Sequence, residues 1–300
     1  MKTKEYKITQ IITNVICLSA TLCAVIPFIL LIVASFTNND WAVANGFSFF
    51  PKEWSMAAYK YIAMKWGTIG HAYFMTIAVT FIGTALSLVI SVLFAYGISK
   101  INIPGMKVVS FLLIFTMLFN GGLVATYYCY TKIWNIKDTI WALIVPNMLM
   151  NAFNVILIRN YFMNSIPVSL EEAARIDGAG EFKILGSIVL PLSKPIIATV
   201  GLMTALGYWN DWQNGLYYLT ARGGSEYYTI QIVLNNISED IRSIAAAATS
   251  SAGAIAVNVK MPSTTIRMAI AVVGILPILV IYPFFQRYFV KGITLGGVKE

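Results

Sequence analysis

Little in this sequence suits aqueous chemistry. It has one histidine (His71), three cysteines (Cys17, Cys23, Cys129) and 34 charged side chains in 300 residues, 21 Lys or Arg and 13 Asp or Glu. Three thiols cannot all pair, and two of them sit in an apolar run, which excludes a disulfide scaffold. A lone histidine without a second His or Cys at ligand spacing gives no metal site, so His71 reads as an interfacial residue. It also leaves no pair of acid, base or nucleophile for an intramembrane enzyme, and no catalytic residue is assigned. The G-x-x-x-x-G-K-[S/T] phosphate loop is missing, so the chain binds no ATP of its own. Charged residues make up 11% of the chain, against about a quarter in a soluble domain. That is too few to cover a soluble protein of this length, which excludes a cytosolic enzyme and a disordered chain. The net charge of +8 is then the cationic bias of membrane-flanking segments, not a nucleic-acid footprint.

What is abundant is apolar, at 58% of residues, and it comes in charge-free windows. These lie between Lys7 and Asp40 (32 residues), Lys65 and Lys100 (34), Lys107 and Lys132 (24), Asp138 and Arg159 (20), Lys194 and Asp211 (16) and Arg267 and Arg287 (19). About 20 apolar residues cross the hydrocarbon core as a helix. The pattern predicts an all-α polytopic membrane protein with one transmembrane domain over 1–300. Six transmembrane helices are expected near 12–36, 72–98, 108–128, 139–158, 192–212 and 267–288. The apolar runs are continuous rather than alternating, which excludes a barrel. The first run follows Lys2, Lys4 and Lys7 but is too long for a signal peptide and lacks a small-residue cleavage site. The window 243–259 is rich in Ala, Ser and Gly and is placed outside the bilayer or as a partly buried helix. With the N-terminus inside, inner segments carry 12 Lys or Arg and outer segments 9, so both termini are expected in the cytoplasm.

The outer stretches 37–71 and 213–265 are long. The inner segment 159–191 is the informative one. With Lys194 it holds eight charges in 36 residues. Ser169-Leu170-Glu171-Glu172 reads as a capping box with Ser169 at the N-cap. Both glutamates favour the positive end of the helix dipole, and Glu171 sits four before Arg175 in the favourable order. Gly178 is placed to stop the helix in a left-handed conformation. Two turns of helix are unstable alone, so Leu170, Ala173 and Ala174 are expected to form a stripe against a partner surface. A second helical stretch with Phe182, Leu185, Ile188 and Val189 is expected to end before Pro191.

Glu172-Ala173-Ala174, three residues, Gly178, nine residues, Ile188, one residue, Leu190-Pro191 resembles the EAA motif of bacterial ABC-importer permeases. The tail Phe285-Gln286-Arg287-Tyr288-Phe289-Val290-Lys291-Gly292, with Gly296-Gly297-Val298-Lys299, and Tyr208-Trp209-Asn210-Asp211-Trp212 are similar to carbohydrate permeases of the maltose-transporter type. The resemblance covers most of the chain and is nearest to permeases for oligosaccharides and polysaccharide-derived sugars. It implies a permease subunit of an ATP-driven carbohydrate importer in a bacterial plasma membrane, working by alternating access. Implied partners are a second homologous permease, two cytoplasmic ATPase subunits that hold ATP and Mg, and an external solute-binding protein. Ser169, Leu170, Glu171, Glu172, Ala173, Ala174, Asp177, Gly178, Ile188, Leu190 and Pro191 are the implied coupling residues.

Aromatic faces, amides and carboxylates recognise sugars. Tyr208, Trp209, Asn210, Asp211 and Trp212 are therefore candidates for the substrate pathway. Belt aromatics with Asp211 at the outer surface are the alternative, and Tyr127, Tyr128 and Tyr130 read as belt. A permease for another solute would lack the 208–212 cluster. A secondary transporter would need ionisable groups within the spans or repeats, which the six cores lack.

Overall fold

A computed structural model describes residues 4–100, 103–249 and 264–280. Lys2, the 285–299 motif, the last part of the sixth expected span and most of the 243–259 window lie outside them. The described residues are helical, with one isolated bridge between Thr37 and Trp54. The helices are α1 (Lys4–Ser35), α2 (Asn39–Asn45), α3 (Ala57–Met64), α4 (Trp66–Ser99), α5 (Met106–Leu118), α6 (Gly122–Tyr128) and α7 (Trp141–Ile144). They continue as α8 (Ala152–Ser165), α9 (Val168–Ile176), α10 (Glu181–Ile184), α11 (Leu190–Leu192), α12 (Lys194–Asn210), α13 (Gln213–Tyr218) and α14 (Ile230–Thr249), and α15 (Thr264–Val280) closes the series.

Among the described residues, Tyr6–Ser35 and Trp66–Ser99 are each long and apolar enough to cross a membrane. Two more stretches qualify as bent pairs: Met106–Leu118 with Gly122–Ile133, bent by 117°, and Glu181–Leu192 with Lys194–Asn210, bent by 82°. The stretch 139–158 is not one helix. It runs as α7, an irregular segment around Pro146 and Asn147, and α8, because Pro146 has no N–H to continue the ladder.

The described residues divide into two compact units, those within 1–69 and 234–277, and those within 70–233 and 278–300. In the first, α1 is exposed from Tyr6 through Ile29. Its end is fastened to the segment that follows it: Ser35 Oγ lies 2.8 Å from the Tyr59 hydroxyl, and Phe36 stacks on Tyr59 at 4.7 Å. Asn38 caps α2 by accepting from the Asp40 and Trp41 amides.

The second unit has two apolar cores. One joins Ala95 and Ile98 of α4 to Val155, Ile158 and Phe162 of α8, to Ile184 and Val189, and to Ile196 and Val200 of α12. The other joins Val79 of α4, Ala142 to Ile144 of α7, Tyr208, Tyr218 and Leu219. Tyr127 and Tyr130, read as belt, pack on Tyr218 at 5.8 Å each, whereas Tyr128 is exposed. Asp138, in the left-handed region at φ 57°, ties its turn to the far loop by accepting from the Thr220 amide and hydroxyl.

Gly83 lets α4 approach α12: a Cβ there would meet the Tyr208 ring at 2.5 Å. The ring is locked in turn, since its hydroxyl donates to the Ile144 carbonyl at 2.9 Å. Gly83→Ala should therefore destabilise the fold by about 1–3 kcal/mol, read as a lower thermal midpoint of the purified protein. An unchanged midpoint would mean that the two helices separate freely.

Candidate functional site

The charged segment after α8 folds as a lever with a defined stop. Pro167 fixes φ at −63° and turns the chain out of α8. The α9 helix starts at the next residue, so the expected N-cap is corrected. Ser169 lies inside the first turn and no side chain caps the helix. Proline before a first turn presets the backbone without that hydrogen bond. At the other end Gly178 takes φ 81°. The Ala179 amide donates to the Ala174 carbonyl at 2.9 Å and the Gly178 amide to the Arg175 carbonyl at 3.0 Å. These are the two bonds of a Schellman stop, with Asp177 at the C-cap.

The next helical stretch does not end before Pro191. It widens into a π-turn over Leu185–Val189, which includes Ile188, and runs on through Leu190 and Pro191 to Leu192. Proline's ring clashes with the carbonyl four residues back in a tight helix; the wider turn relieves that contact. The bend follows at Ser193.

The expected stripe is split. Ala174 packs into the α4–α8–α12 core, while Leu170 and Ala173 face out with Glu172. The buried member of α9 is Glu171. It pairs with Lys100 after α4 and with Arg175 at 3.3 Å. Arg175 Nε also donates to Glu181 at 2.7 Å, and the Tyr96 hydroxyl of α4 donates to the same carboxylate at 2.6 Å. The Lys100 ammonium sits 4.4 Å from the centre of the Tyr96 ring. Tyr96, Lys100, Glu171, Arg175 and Glu181 therefore form one network from α4 to both sides of the Gly178 turn. The Arg175 guanidinium, then the Tyr96 hydroxyl, hold Glu181 at about 2, well below the ordinary carboxylate range. The outer face of this lever is apolar and uncovered: Val168, Leu170, Ile176 and Phe182 are exposed, the last two by more than four-fifths.

The 208–212 cluster does not present one surface. Tyr208 and Trp209 are buried, Tyr208 on Gly83 and Trp209 beside Tyr73 at 6.4 Å. Asn210 is exposed and its amide bonds back to the Leu206 carbonyl. Asp211 turns the chain by accepting from the Gln213 and Asn214 amides at 3.1 and 3.2 Å. Trp212 is 40% exposed.

Carboxamides converge nearby. Asn120, Thr126, Asn147, Gln213, Asn214 and Tyr217 line an open cavity of about 280 Å³ with Gly122, Leu123 and Tyr218. Two helix breaks meet there. Between α5 and α6, Asn120 Oδ1 accepts from the Gly122 amide at 2.9 Å and Gly122 takes φ 79°. Between α7 and α8, Asn147 takes φ 60°. Irregular backbone at membrane depth is tolerated where it is buried in protein or lines a water-filled cavity. Both occur here. Tyr208 donates to the Ile144 carbonyl, Asn214 to Pro146 at 3.1 Å and Ser87 to Met148 at 3.3 Å, so the carbonyls freed by the second break find donors on α12, α13 and α4. Sequence reading passed over these amides because no short motif joins them. Pro146-Asn147 and Asn120-Gly121-Gly122, turn pairs inside apolar windows, were the available signal.

Residues 101–295 match the family described as binding-protein-dependent transport system inner membrane component. The polygalacturonan/rhamnogalacturonan transport system permease protein YtcP of Bacillus subtilis is 40% identical over 278 residues, covering 93% of each chain. The arabinooligosaccharides transport system permease protein AraQ of Halalkalibacterium halodurans is 27% identical, covering 92% of this chain and 91% of that one. Among solved structures, a chain of a bacterial ABC transporter involved in the import of the acidic polysaccharide alginate aligns with a TM-score of 0.77 and 32% identity. That alignment covers 96% of this chain and 99% of the other.

Proposed function

The chain belongs to the family of inner membrane components of binding-protein-dependent transport systems, and from that premise we propose that it is the permease subunit of an ATP-driven carbohydrate importer. Coupling rests on α9. It is nine residues long, stopped at Gly178, fastened to α4 through Tyr96 and Lys100, and apolar on its open face. An ATPase subunit that grips Val168, Leu170, Ile176 and Phe182 moves α4 with them, because the network leaves little slack between the two helices. ATP and Mg belong to that partner; this chain hydrolyses nothing.

The further assembly is that of the ABC-importer class. A second permease completes the pathway, a second ATPase sits beside the first, and an external binding protein delivers the sugar. Six spans with both termini in the cytoplasm put α9 on the ATPase side. Approach of the ATPases turns the pathway outward and hydrolysis returns it.

The amide-lined cavity is the sugar-facing surface of this subunit. Neutral carboxamides and a tyrosine hydroxyl hydrogen-bond a polyol in either direction, and no carboxylate lines the cavity to repel an anionic sugar. With YtcP and the alginate importer as relatives, the substrate is an acidic, uronate-containing oligosaccharide. Asn120→Ala and Gln213→Ala change exposed lining residues, and each should cut uptake of radiolabelled oligogalacturonate severalfold through a higher KM, with complex assembly unchanged. Tyr208→Phe should instead lower stability by about 1–3 kcal/mol by orphaning the Ile144 carbonyl. Normal uptake in both lining variants would remove this cavity from the pathway. Stronger uptake of neutral arabino-oligosaccharides would overturn the acidic substrate.

A further inference from the structure

Charges are scarce beside the apolar helices, so two cations in one crevice need a reason. Lys107 is the second residue of α5 and Arg159 lies midway along α8. Together with Ile98, Met106, Ser110, Phe111 and Ile114 they line an open crevice of about 350 Å³. No carboxylate lines it, and neither cation forms an ion pair among the described residues.

The two cations are placed differently. Lys107 is exposed. Arg159 is half-buried and anchored: Nε donates to the Ile98 carbonyl at 3.2 Å and Nη1 to the Asn160 side chain at 3.4 Å. Among the described residues Nη2 of the same guanidinium has no acceptor, which leaves a donor in the crevice. Ser110 adds a hydroxyl one turn along α5 from Lys107. Beyond it the wall turns apolar, with Phe111 63% and Ile114 48% exposed.

We propose that this crevice binds an anionic phospholipid, its phosphate held by Lys107, Arg159 and Ser110 and an acyl chain lying on Phe111 and Ile114. Phosphate chemistry accounts for the polar end. A free anion has no use for the apolar wall that continues from it, whereas a lipid uses both. Basic pockets between spanning helices recognise anionic head groups in this way. The site is independent of the sugar reading, since none of its residues lines the amide cavity or joins the Tyr96–Glu181 network.

The test uses the assembled transporter, purified in detergent and offered phosphatidylglycerol or phosphatidylcholine, with retained lipid counted by native mass spectrometry. Wild type should hold phosphatidylglycerol in preference. Lys107→Gln should weaken that retention severalfold, and Lys107→Gln with Arg159→Gln by on the order of tenfold or more, at about 1 kcal/mol per basic residue. Lys107 is exposed and unpaired, so the single variant folds and keeps the experiment decisive. Equal retention by wild type and the double variant overturns the site. Binding of inorganic phosphate by wild type with no retained phosphatidylglycerol overturns the lipid in favour of a free anion. A photoreactive group at Ile114 should label lipid; labelling of the second permease instead puts protein in the crevice and overturns the proposal.

Discussion

Gly178→Val should leave ATP hydrolysis running while sugar uptake falls at least tenfold, with the protein still inserted and assembled. The reason is conformational. Beyond the chain neighbours, no described atom lies within 4 Å of where the new Cβ would sit, so the added Cβ meets no clash. It meets φ 81° instead, a region that costs an L-residue about 1–2 kcal/mol and a β-branched one more. The nine-residue helix has no side-chain cap at its start to offset that cost, and helices this short do not persist alone. Relief comes by giving up the Ala179-to-Ala174 and Gly178-to-Arg175 bonds, which lets the lever swing without moving α4. Gly178→Asn is the control. Asparagine tolerates the left-handed region, so uptake should stay near wild type. Equal loss in both variants would point to steric exclusion by the ATPase; normal uptake in the valine variant would sink the lever.

Lys100→Ala should be nearly as damaging by a different route. Glu171 is the one side chain of α9 that is buried, with 12% of it exposed, and Lys100 is its closest partner. Removing one member of such a pair leaves a carboxylate short of compensation. A fully buried pair costs about 3–5 kcal/mol to break. Here Arg175 remains at 3.3 Å and both partners see some water, so about 1–3 kcal/mol is the expected loss. Uptake should fall severalfold in the purified, reconstituted complex. Glu171→Gln added to Lys100→Ala should recover much of that loss, because the amide needs no counter-charge. Glu171→Gln alone should be milder than Lys100→Ala. If the double variant is as poor as Lys100→Ala, then Lys100 acts through something other than Glu171.

The sequence was legible where a single residue decides the backbone or a fixed spacing decides the pairing. The Gly178 stop and the Glu171–Arg175 pair follow from local chemistry alone, and so does the helical class of the fold. The start of α9 was misplaced by two residues because a good capping pattern at Ser169 competed with Pro167, and the proline, which fixes φ outright, prevailed. The stretch 139–158 reads as one apolar helix because absence of charge does not register a missing N–H at Pro146. Tyr208 and Trp209 look like sugar platforms in sequence and are buried in the structure. Only Gly83, 125 positions away, explains where the Tyr208 ring goes. The Tyr96–Glu181 contact spans 85 residues, and no periodicity carries such a pairing.

The irregular segment between α7 and α8 has a mechanical meaning. Its three carbonyls at Ile144, Pro146 and Met148 are each held by a side chain from a different helix, α12, α13 and α4. A slip of about an ångström by any of the three takes a donor out of range. Three helices pinned to one short strip of backbone cannot shear independently; they travel as a block. Whatever flexing an import cycle demands of this subunit is thereby pushed away from the strip, toward the 82° corner at Ser193, where one residue separates α11 from α12. A spectroscopic ruler between α4 and α12 should hold constant through the cycle, while one across Ser193 should change.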